Sequence, residues 1–218
     1  MQEQSKASPL QNIIRYVFYF SGLVCFGLGA AFSIKVQYLG LHPWDVLNVA
    51  LYNQLGLTIG TWSIIVGLAL IGVSLVVSKK YVNIGTFLNA LLIGPIMDFF
   101  LWLDILPNAS NTWTDYLILL VGIVLIGIGG GLYVSGGVGA GPRDGFMLSI
   151  SERLRWSISK ARILVESIVL VIGYFLGGPV FWVTFIYTFL LSPIFQFSLK
   201  FFSSLRLKLD KKIKVHST

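Results

Sequence analysis

Charged residues are scarce in this sequence of 218 residues. Only 11% are Asp, Glu, Lys or Arg, whereas a soluble domain has about a quarter. Hydrophobic residues make up 56%, and they come in long runs rather than alternating with polar residues. So few charges cannot cover the surface of a water-soluble globule of this size. The composition therefore predicts a membrane protein.

Cysteine and histidine are almost absent too. The single cysteine, Cys25, lies in an apolar run, so no disulfide can form within the chain and we interpret Cys25 as a packing residue. His42 and His216 are the only histidines and are predicted to lie on opposite sides of the membrane, which excludes a zinc or haem site. No nucleophile–base pair is evident. The sequence predicts no metal, no cofactor and no enzymatic activity.

Long apolar runs are the main feature of the chain. Six of them are long enough, or nearly so, to cross a bilayer, which takes about 20 residues. We place the six spans at residues 13–34, 59–78, 83–104, 115–135, 160–177 and 180–201. The polar start of the chain does not have the pattern of a cleaved signal peptide.

Basic residues predict the orientation of these spans. With six spans, 15 of the 16 lysines and arginines fall on one side of the membrane. Because basic residues are retained in the cytoplasm, both termini are predicted to be cytoplasmic and to contact anionic lipid headgroups. This distribution does not favour nucleic-acid binding. Only Lys35 falls on the outer side, where it either extends towards the headgroups or pairs with Asp45.

The two halves of the chain resemble each other. Matching residues recur at an offset that drifts from 100 near Gly22 to 99 near Asp45 and 98 near Thr86. The matched positions include Gly22, Gly40, Pro43, Asp45, Thr58 and Thr86 in the first half and Gly122, Gly139, Pro142, Asp144, Ser157 and Thr184 in the second. A collinear series of this kind indicates a duplication.

Each half carries three spans, an odd number, so the second half must enter the membrane in the opposite sense. The predicted fold is an all-α membrane protein with six transmembrane helices in two inverted three-helix repeats, at residues 13–105 and 115–201. Residues 1–12 and 202–218 are predicted to be cytoplasmic, and residues 106–114 to form an external linker. Many secondary transporters have this architecture, although channels and non-transporting membrane proteins use it too.

Each repeat carries one motif in which glycine and proline end one helix and begin another. The two motifs are Gly40-Leu41-His42-Pro43-Trp44-Asp45-Val46 and Gly139-Ala140-Gly141-Pro142-Arg143-Asp144-Gly145. Each motif predicts a short non-spanning helix with its aspartate in the first turn. A further helix break is predicted in the third span, at Gly94-Pro95.

Two interpretations of the short helix after the second motif stay open. It either lies on the membrane surface, with Arg153 and Arg155 at the headgroups, or dips into the protein. In the second case, its first amides and Arg143 face an anionic group, and Asp144 orients Arg143.

At these motifs the chain resembles the YczE/YyaS/YitT-type bacterial integral membrane proteins, specifically the YczE-like branch. The resemblance runs from about Gly22 to Pro193, and the stretch at 139–145 is its most specific part. It implies a multi-spanning protein of the bacterial inner membrane. The chain departs from the family pattern at Val183, where a glycine is usual. If that glycine permits a close helix contact, the sixth span packs differently here.

Charges within or beside apolar spans are candidates for a binding site, because burying a charge in a bilayer is costly. The candidate substrate-binding residues are Trp44, Asp45, Asp98, Arg143, Asp144 and Glu166. Two of them have an equally simple structural interpretation. Glu166 follows Arg162 by four residues and fits an intrahelical ion pair, and Trp44 fits an interfacial anchor.

These features favour a small membrane transporter with a site at the interface of the two repeats. Arg143 and the two helix starts give a preference for an anionic or zwitterionic solute. Asp45, Asp98 and Glu166 are candidates for proton coupling, provided that they are buried. The alternative is a membrane scaffold or regulatory protein that supports a partner through its basic cytoplasmic face. Homo-oligomerisation and a separate membrane partner both stay open.

Overall fold

The structure is a computed structural model that describes residues 8–216. Within this range it contains eight α-helices and no strand, which confirms the all-α prediction. The helices are α1 Pro9–Lys35, α2 Pro43–Leu55, α3 Ile59–Val77, α4 Ile84–Trp102, α5 Thr114–Gly136, α6 Pro142–Leu154, α7 Ile158–Phe175 and α8 Trp182–His216. Residues 1–7 and 217–218 of the predicted cytoplasmic segments lie outside the described range.

Among the described helices, α1, α3, α4, α5 and α8 are long and apolar enough to cross a membrane. The fifth predicted span corresponds to α7, which has 18 residues and carries Lys160, Arg162 and Glu166. These three charges all lie within the 18 residues of α7, whereas the charges of α8 follow an uncharged stretch at 182–199. Arg162 and Glu166 lie in the wall of an internal cavity, where charged side chains of membrane helices are usually found.

Local sequence determines where the helices begin and end. The Ser8 hydroxyl accepts from the Gln11 backbone N–H, and the Gln11 side chain accepts from the Ser8 backbone N–H, which forms a capping box at the start of α1. Pro43 and Pro142 begin α2 and α6 at positions where the missing N–H has no helical partner. Gly137, with φ of +68°, ends α5 in the left-handed conformation.

Glycines allow α1 and α5 to pack very closely. Gly22 lies against Gly129 and Gly29 lies against Gly122, so the two helices run antiparallel. A Cβ atom at Gly29 would lie 2.7 Å from the backbone oxygen of Gly122, so only glycine fits. The glycine run at 127–131 therefore serves helix packing.

The helices form two groups. In the first, which we term the scaffold group, α1 packs against α5, α4 against α1, and α8 against α5. In the second, the motif group, α2 packs against α7 and α3, and α6 packs against α3 and α7. The two groups meet mainly where α3 packs against α4. Between α7 and α8, the corresponding pair, the described residues make little contact.

The Gly94-Pro95 pair does not break the third span. The helix α4 runs without interruption from Ile84 to Trp102, which differs from the prediction. Proline removes one backbone hydrogen bond, but helices in membranes tolerate it because neighbouring groups satisfy the freed carbonyl. Gly94 instead allows the backbone of α4 to approach Gly60 of α3 closely.

The helix α8 is longer than the predicted sixth span. It continues to His216 and so includes most of the predicted tail at 202–218. No glycine or proline follows residue 193, so nothing in the sequence stops the helix. Arg206 holds this extension against the end of α5, because its Nη1 donates to the Gly136 oxygen at 3.2 Å.

Val183 marks a local difference between the halves. It is buried in the apolar core at the start of α8. Its counterpart at an offset of 98, Gly85, lies against Val138 and Gly139, where a Cβ atom would lie 2.6 Å from the Val138 oxygen. The start of α8 therefore fills space with a side chain where the start of α4 makes a backbone contact.

We expect the contact between α6 and the turn before α4 to weaken in acid. Lys80 Nζ donates to Glu152 Oε1 at 3.0 Å, and this hydrogen bond lowers the pKa of Glu152. A lowered carboxyl pKa stabilises the fold above the unfolded value, about 4.3, and the contribution is lost as the pH falls through the folded value. Both side chains are exposed, so the effect is small.

Melting temperatures of the wild type and Glu152→Gln test this prediction. The variant should melt lower than the wild type at neutral pH, and the difference should shrink as the pH falls below about 4.3, the ordinary pKa of a glutamate. A difference of the same size at neutral and at acid pH would contradict it.

Candidate functional site

A cavity of about 100 Å³ lies between the scaffold group and the motif group. We term it the central cavity. All charged side chains in its wall come from α2, α6 and α7 of the motif group, whereas the scaffold group contributes Asn89, Tyr133 and mainly apolar side chains. The charges are therefore gathered on one face of the cavity.

Both short helices begin inside the protein. Pro43 and Pro142 are buried, and the first turns of α2 and α6 face the central cavity. Trp44 is only 2% exposed, so it does not serve as an interfacial anchor. The protein therefore encloses the start of each short helix, as expected if the helix after the second motif dips into the protein.

Arg143 reaches from α6 to the start of α2. Its Nη2 lies 3.5 Å from Asp45 Oδ1, and its guanidinium carbon lies 5.5 Å from the centre of the Trp44 ring. The carboxylate and the indole face both stabilise the guanidinium charge. We expected Asp144 to orient Arg143. The partner is Asp45 instead, because the two helix starts face each other across the cavity.

Asp144 joins α6 to two other helices. Its carboxylate accepts from the Tyr133 hydroxyl at 3.1 Å and from Arg162 Nη2 at 3.4 Å. Arg162 thus pairs with Asp144 on a neighbouring helix, although its spacing also fitted an intrahelical pair with Glu166.

Glu166 lies beside the histidine of the first motif. Its Oε1 is 3.6 Å from His42 Nε2, and only 7% of the residue is exposed. The His42 ring meets the Tyr187 ring edge-on with 5.6 Å between centroids. The Tyr187 hydroxyl shares a hydrogen bond of 3.1 Å with the Ser33 hydroxyl. His42 therefore links the charged face of the cavity to the scaffold group.

Among the described residues, three charge pairs in the cavity wall are loose: Arg143–Asp45, Arg162–Asp144 and His42–Glu166. They measure 3.5, 3.4 and 3.6 Å, whereas charge-assisted hydrogen bonds are typically about 2.7–2.9 Å. Each contact joins two different helices or helix starts. A ligand with charged groups can therefore compete for these side chains.

Three N–H groups in the cavity wall have no hydrogen-bond partner among the described residues. They are Trp44 Nε1, Asn89 Nδ2 and Arg162 Nε. Trp44 is 2% exposed and Asn89 is 5% exposed. A buried donor without a partner costs about 1–3 kcal/mol, so such groups call for an acceptor. All three are donors, and they belong to residues that line one cavity.

Asp98 lies apart from this cavity. Its carboxylate accepts from the Gly60 backbone N–H at 2.9 Å and from the Thr58 hydroxyl at 2.5 Å, at the start of α3. Lys35, one of whose expected partners was Asp45, instead donates to Asp104 at 2.6 Å. The candidate residues that the structure brings together are Trp44, Asp45, Arg143, Asp144 and Glu166.

A second opening lies between α7 and α8, which we term the α7–α8 cleft. Its volume is about 720 Å³. It shares Arg162, Glu166, Ser192 and Phe195 with the central cavity, so the two spaces adjoin. The cleft therefore brings the charged face of the cavity within reach of the outside of the helix bundle.

Comparison with known proteins places the chain in a family. Residues 13–200 match the family of unknown function DUF6198. The chain belongs to this family. It is 38% identical over 187 residues to the uncharacterized membrane protein YczE of Bacillus subtilis, with 86% of each chain covered. Together with the five apolar helices, this similarity supports a membrane location.

Two further relatives agree with the DUF6198 assignment. The uncharacterized protein YyaS of Bacillus subtilis is 29% identical over 170 residues, which cover 77% of this chain and 83% of YyaS. An uncharacterized protein of Haemophilus influenzae is 31% identical over 172 residues, which cover 79% of this chain and 78% of that protein. These matches confirm the resemblance read from the motifs. No solved structure matches the chain.

In this member of the DUF6198 family, sequence reasoning missed several side chains of the cavity. The sequence suggests His42 only as a metal ligand, and it does not mark Asn89 as a site residue. Tyr133 and Arg162 were not proposed as site residues. The position of His42 could have identified it as a site residue, because it directly precedes Pro43 in the first motif. No sequence feature identifies Tyr133 as a site residue, because it lies in an apolar helix before the second motif.

Proposed function

We propose that this protein is a small-solute transporter of the bacterial inner membrane and that the central cavity is its binding site. The observation that carries the proposal is the set of charged groups gathered inside an apolar helical protein: two guanidinium groups, three carboxylates and one imidazole. Burying so many charges in a membrane protein is costly, and such groups usually mark the path of a substrate or ion. A scaffold that acts through its surface does not need them.

The proposal includes six spans in two inverted repeats, with α7 as the fifth span and both termini in the cytoplasm. The antiparallel packing of α1 and α5 supports it. So do matched contacts: a Cβ atom at Gly27 would lie 2.6 Å from Ile96, and one at Gly127 would lie 2.6 Å from Ile194. Transporters of this architecture bind substrates where interrupted helices from both repeats meet.

The cavity suits a small zwitterion. Its three unpartnered N–H donors favour an acceptor such as a carboxylate. The wall also carries three carboxylates and two guanidinium groups, so carboxylates are available to an ammonium group on the ligand. A solute with one carboxylate and one ammonium group can bind the N–H donors and the carboxylates of the wall at the same time, whereas an anion binds only the donors.

A labelling experiment tests the proposed site. Ser63 lies in the cavity wall and is uncharged, so Ser63→Cys in a Cys25→Ala background reports access to the cavity. We expect a mixture of small amino acids to slow its reaction with a water-soluble thiol reagent. The matched carboxylic acids and amines should protect less. Ser78→Cys, at the end of α3 and away from the cavity, is the control and should react at the same rate with and without solute.

Uptake measurements complete the test. Proteoliposomes containing the purified protein should accumulate the radiolabelled solute that protects Ser63→Cys. Protection without uptake would contradict transport and leave a solute-binding protein. If neither protection nor uptake is found with the zwitterions, the anions or the cations, the proposed solute site is wrong.

A further inference from the structure

A carboxylate on α4 holds the end of this helix against the start of α3. Asp98 of α4 accepts from the Gly60 N–H and the Thr58 hydroxyl, which binds it to the first turn of α3. Close by, the backbones of Gly60 and Gly94 are in direct contact. On the side of the protein where α3 begins, the motif group and the scaffold group are therefore held together.

The matched positions of the second half lie at the open cleft. At the offsets of 99 and 98, Thr58 corresponds to Ser157, Gly94 to Ser192 and Asp98 to Gln196. Ser192 and Gln196 line the α7–α8 cleft. The residues that correspond to a closed contact in one half thus border an opening in the other half.

We propose that the α7–α8 cleft is the portal to the central cavity and that Asp98 is the latch that keeps the opposite portal, between α3 and α4, closed. This inference rests on the proposed function, because it gives the two routes by which a solute reaches one site. With the predicted orientation, α7 begins at the cytoplasmic side and α3 at the outer side. The structure then represents a state that is open to the cytoplasm and closed to the outside.

The wall of the cleft combines polar and apolar side chains. Arg162, Glu166, Ser167 and Gln196 provide polar groups along it. Because Arg162 and Glu166 belong to the cleft and to the central cavity, a solute in the cleft is next to the charged face of the cavity.

The two portals differ in how firmly they close. The first half has a carboxylate at 98, which accepts two hydrogen bonds, and glycine at 60 and 94. The second half has the neutral Gln196 and a serine, Ser192, where the first has Gly94. Hydrogen bonds to a charged acceptor are stronger than those to a neutral one, and glycine allows closer packing. The outer portal is therefore the more stably closed, which agrees with the observed state.

Two substitutions test the portals in the single-cysteine protein with Ser63→Cys, and neither needs a solute. An impermeant thiol reagent is added from one side of sealed vesicles at a time. Ser167→Trp places a large ring in the cleft and should slow labelling from the cytoplasmic side about tenfold or more. Ile168→Trp is the matched control, because Ile168 is 51% exposed and lies outside the cleft. Labelling of this control should be unchanged.

Asp98→Asn tests the latch. Losing the charged acceptor weakens two hydrogen bonds and should raise labelling of Ser63→Cys from the outer side about tenfold. Asp104→Asn, an exposed carboxylate near the end of α4, is the control and should have no such effect.

The outcomes separate this inference from the proposed function. If Ser167→Trp leaves cytoplasmic labelling unchanged, the portal is overturned, even where a solute still protects Ser63→Cys. Outer labelling that stays absent in a folded Asp98→Asn protein overturns the latch. If Asp98→Asn does not fold, Thr58→Val removes one of the two hydrogen bonds and must raise outer labelling. If Ser167→Trp and Asp98→Asn change the labelling of Ser63→Cys as expected but no solute protects it, the portals are upheld and the solute site is contradicted.

Discussion

Asp144→Asn is expected to lower solute uptake at least tenfold while the protein stays folded in the membrane. Asparagine has nearly the shape of aspartate, so Tyr133 keeps a partner, but Arg162 loses the charge that it faces at 3.4 Å. The guanidinium is then free to bind Glu166 or the solute in another geometry. Hydrogen bonds between charged groups contribute about 1.5–3 kcal/mol each, which corresponds to at least a tenfold loss of uptake for one such contact.

Uptake into proteoliposomes and the melting temperature in detergent together decide this prediction. Asp104→Asn serves as the control, because Asp104 is exposed and pairs with Lys35 outside the cavity. A scaffold function predicts the reverse pattern. Under that alternative, Asp144→Asn is tolerated, whereas removal of residues 202–218 abolishes function. Normal uptake by a folded Asp144→Asn protein would therefore exclude Asp144 from the site.

Gly22→Val is expected to prevent stable folding. A Cβ atom at Gly22 would lie 2.7 Å from the backbone oxygen of Gly129, so α1 and α5 would have to separate. Overpacking typically costs about 1–3 kcal/mol, and we expect the upper end or more because the obstacle is backbone rather than a flexible side chain. Size-exclusion profiles and melting temperatures in detergent measure the effect.

Gly72→Ala is the matched control for Gly22→Val. Gly72 is also a helical glycine, but no heavy atom lies within 4 Å of a Cβ placed there. Alanine is the better helix former by about 0.5–1 kcal/mol, so this variant should be as stable as the wild type or slightly more stable. If Gly22→Val melts like the wild type, the close packing of α1 and α5 is wrong.

The parts of the fold that depend on local chemistry were predictable. Pro43 and Pro142 begin helices because proline has no N–H to leave unpaired, and this holds whatever surrounds them. The antiparallel packing of α1 and α5 follows from the predicted duplication with three spans in each half. Gly94-Pro95 shows where local reasoning ends, because a helix packed against a neighbour continues through proline.

The partners of the charged residues could not be predicted. Spacing along one helix identifies neighbours three or four residues apart, so Glu166 suggested Arg162 as a partner. The contacts observed join residues far apart in sequence, such as Arg143 with Asp45 and Asp98 with Thr58. Which helix starts face each other depends on how whole helices pack. The sequence therefore indicated most of the charged residues of the site, but not their pairing or the separate position of Asp98.

The length of α8 has a mechanical consequence. Its 35 residues extend about 52 Å at 1.5 Å per residue, well beyond the roughly 30 Å of a bilayer core. It packs along α5, and its far end is tied down where Gln11 Nε2 donates to the Asp210 oxygen at 3.2 Å. We therefore expect α8 to stay fixed relative to α1 and α5.

The neighbouring helix α7 is then the one that moves when the α7–α8 cleft closes. It is joined to α8 by a short turn at 176–181, in which Gly177 has φ of +80°. Closing the cleft would therefore swing α7 together with α2 and α6, against which it packs, rather than α8. The distance between a spin label on α7 and one on α1 should change during transport. The distance between a label on the last turns of α8 and one on α1 should stay constant.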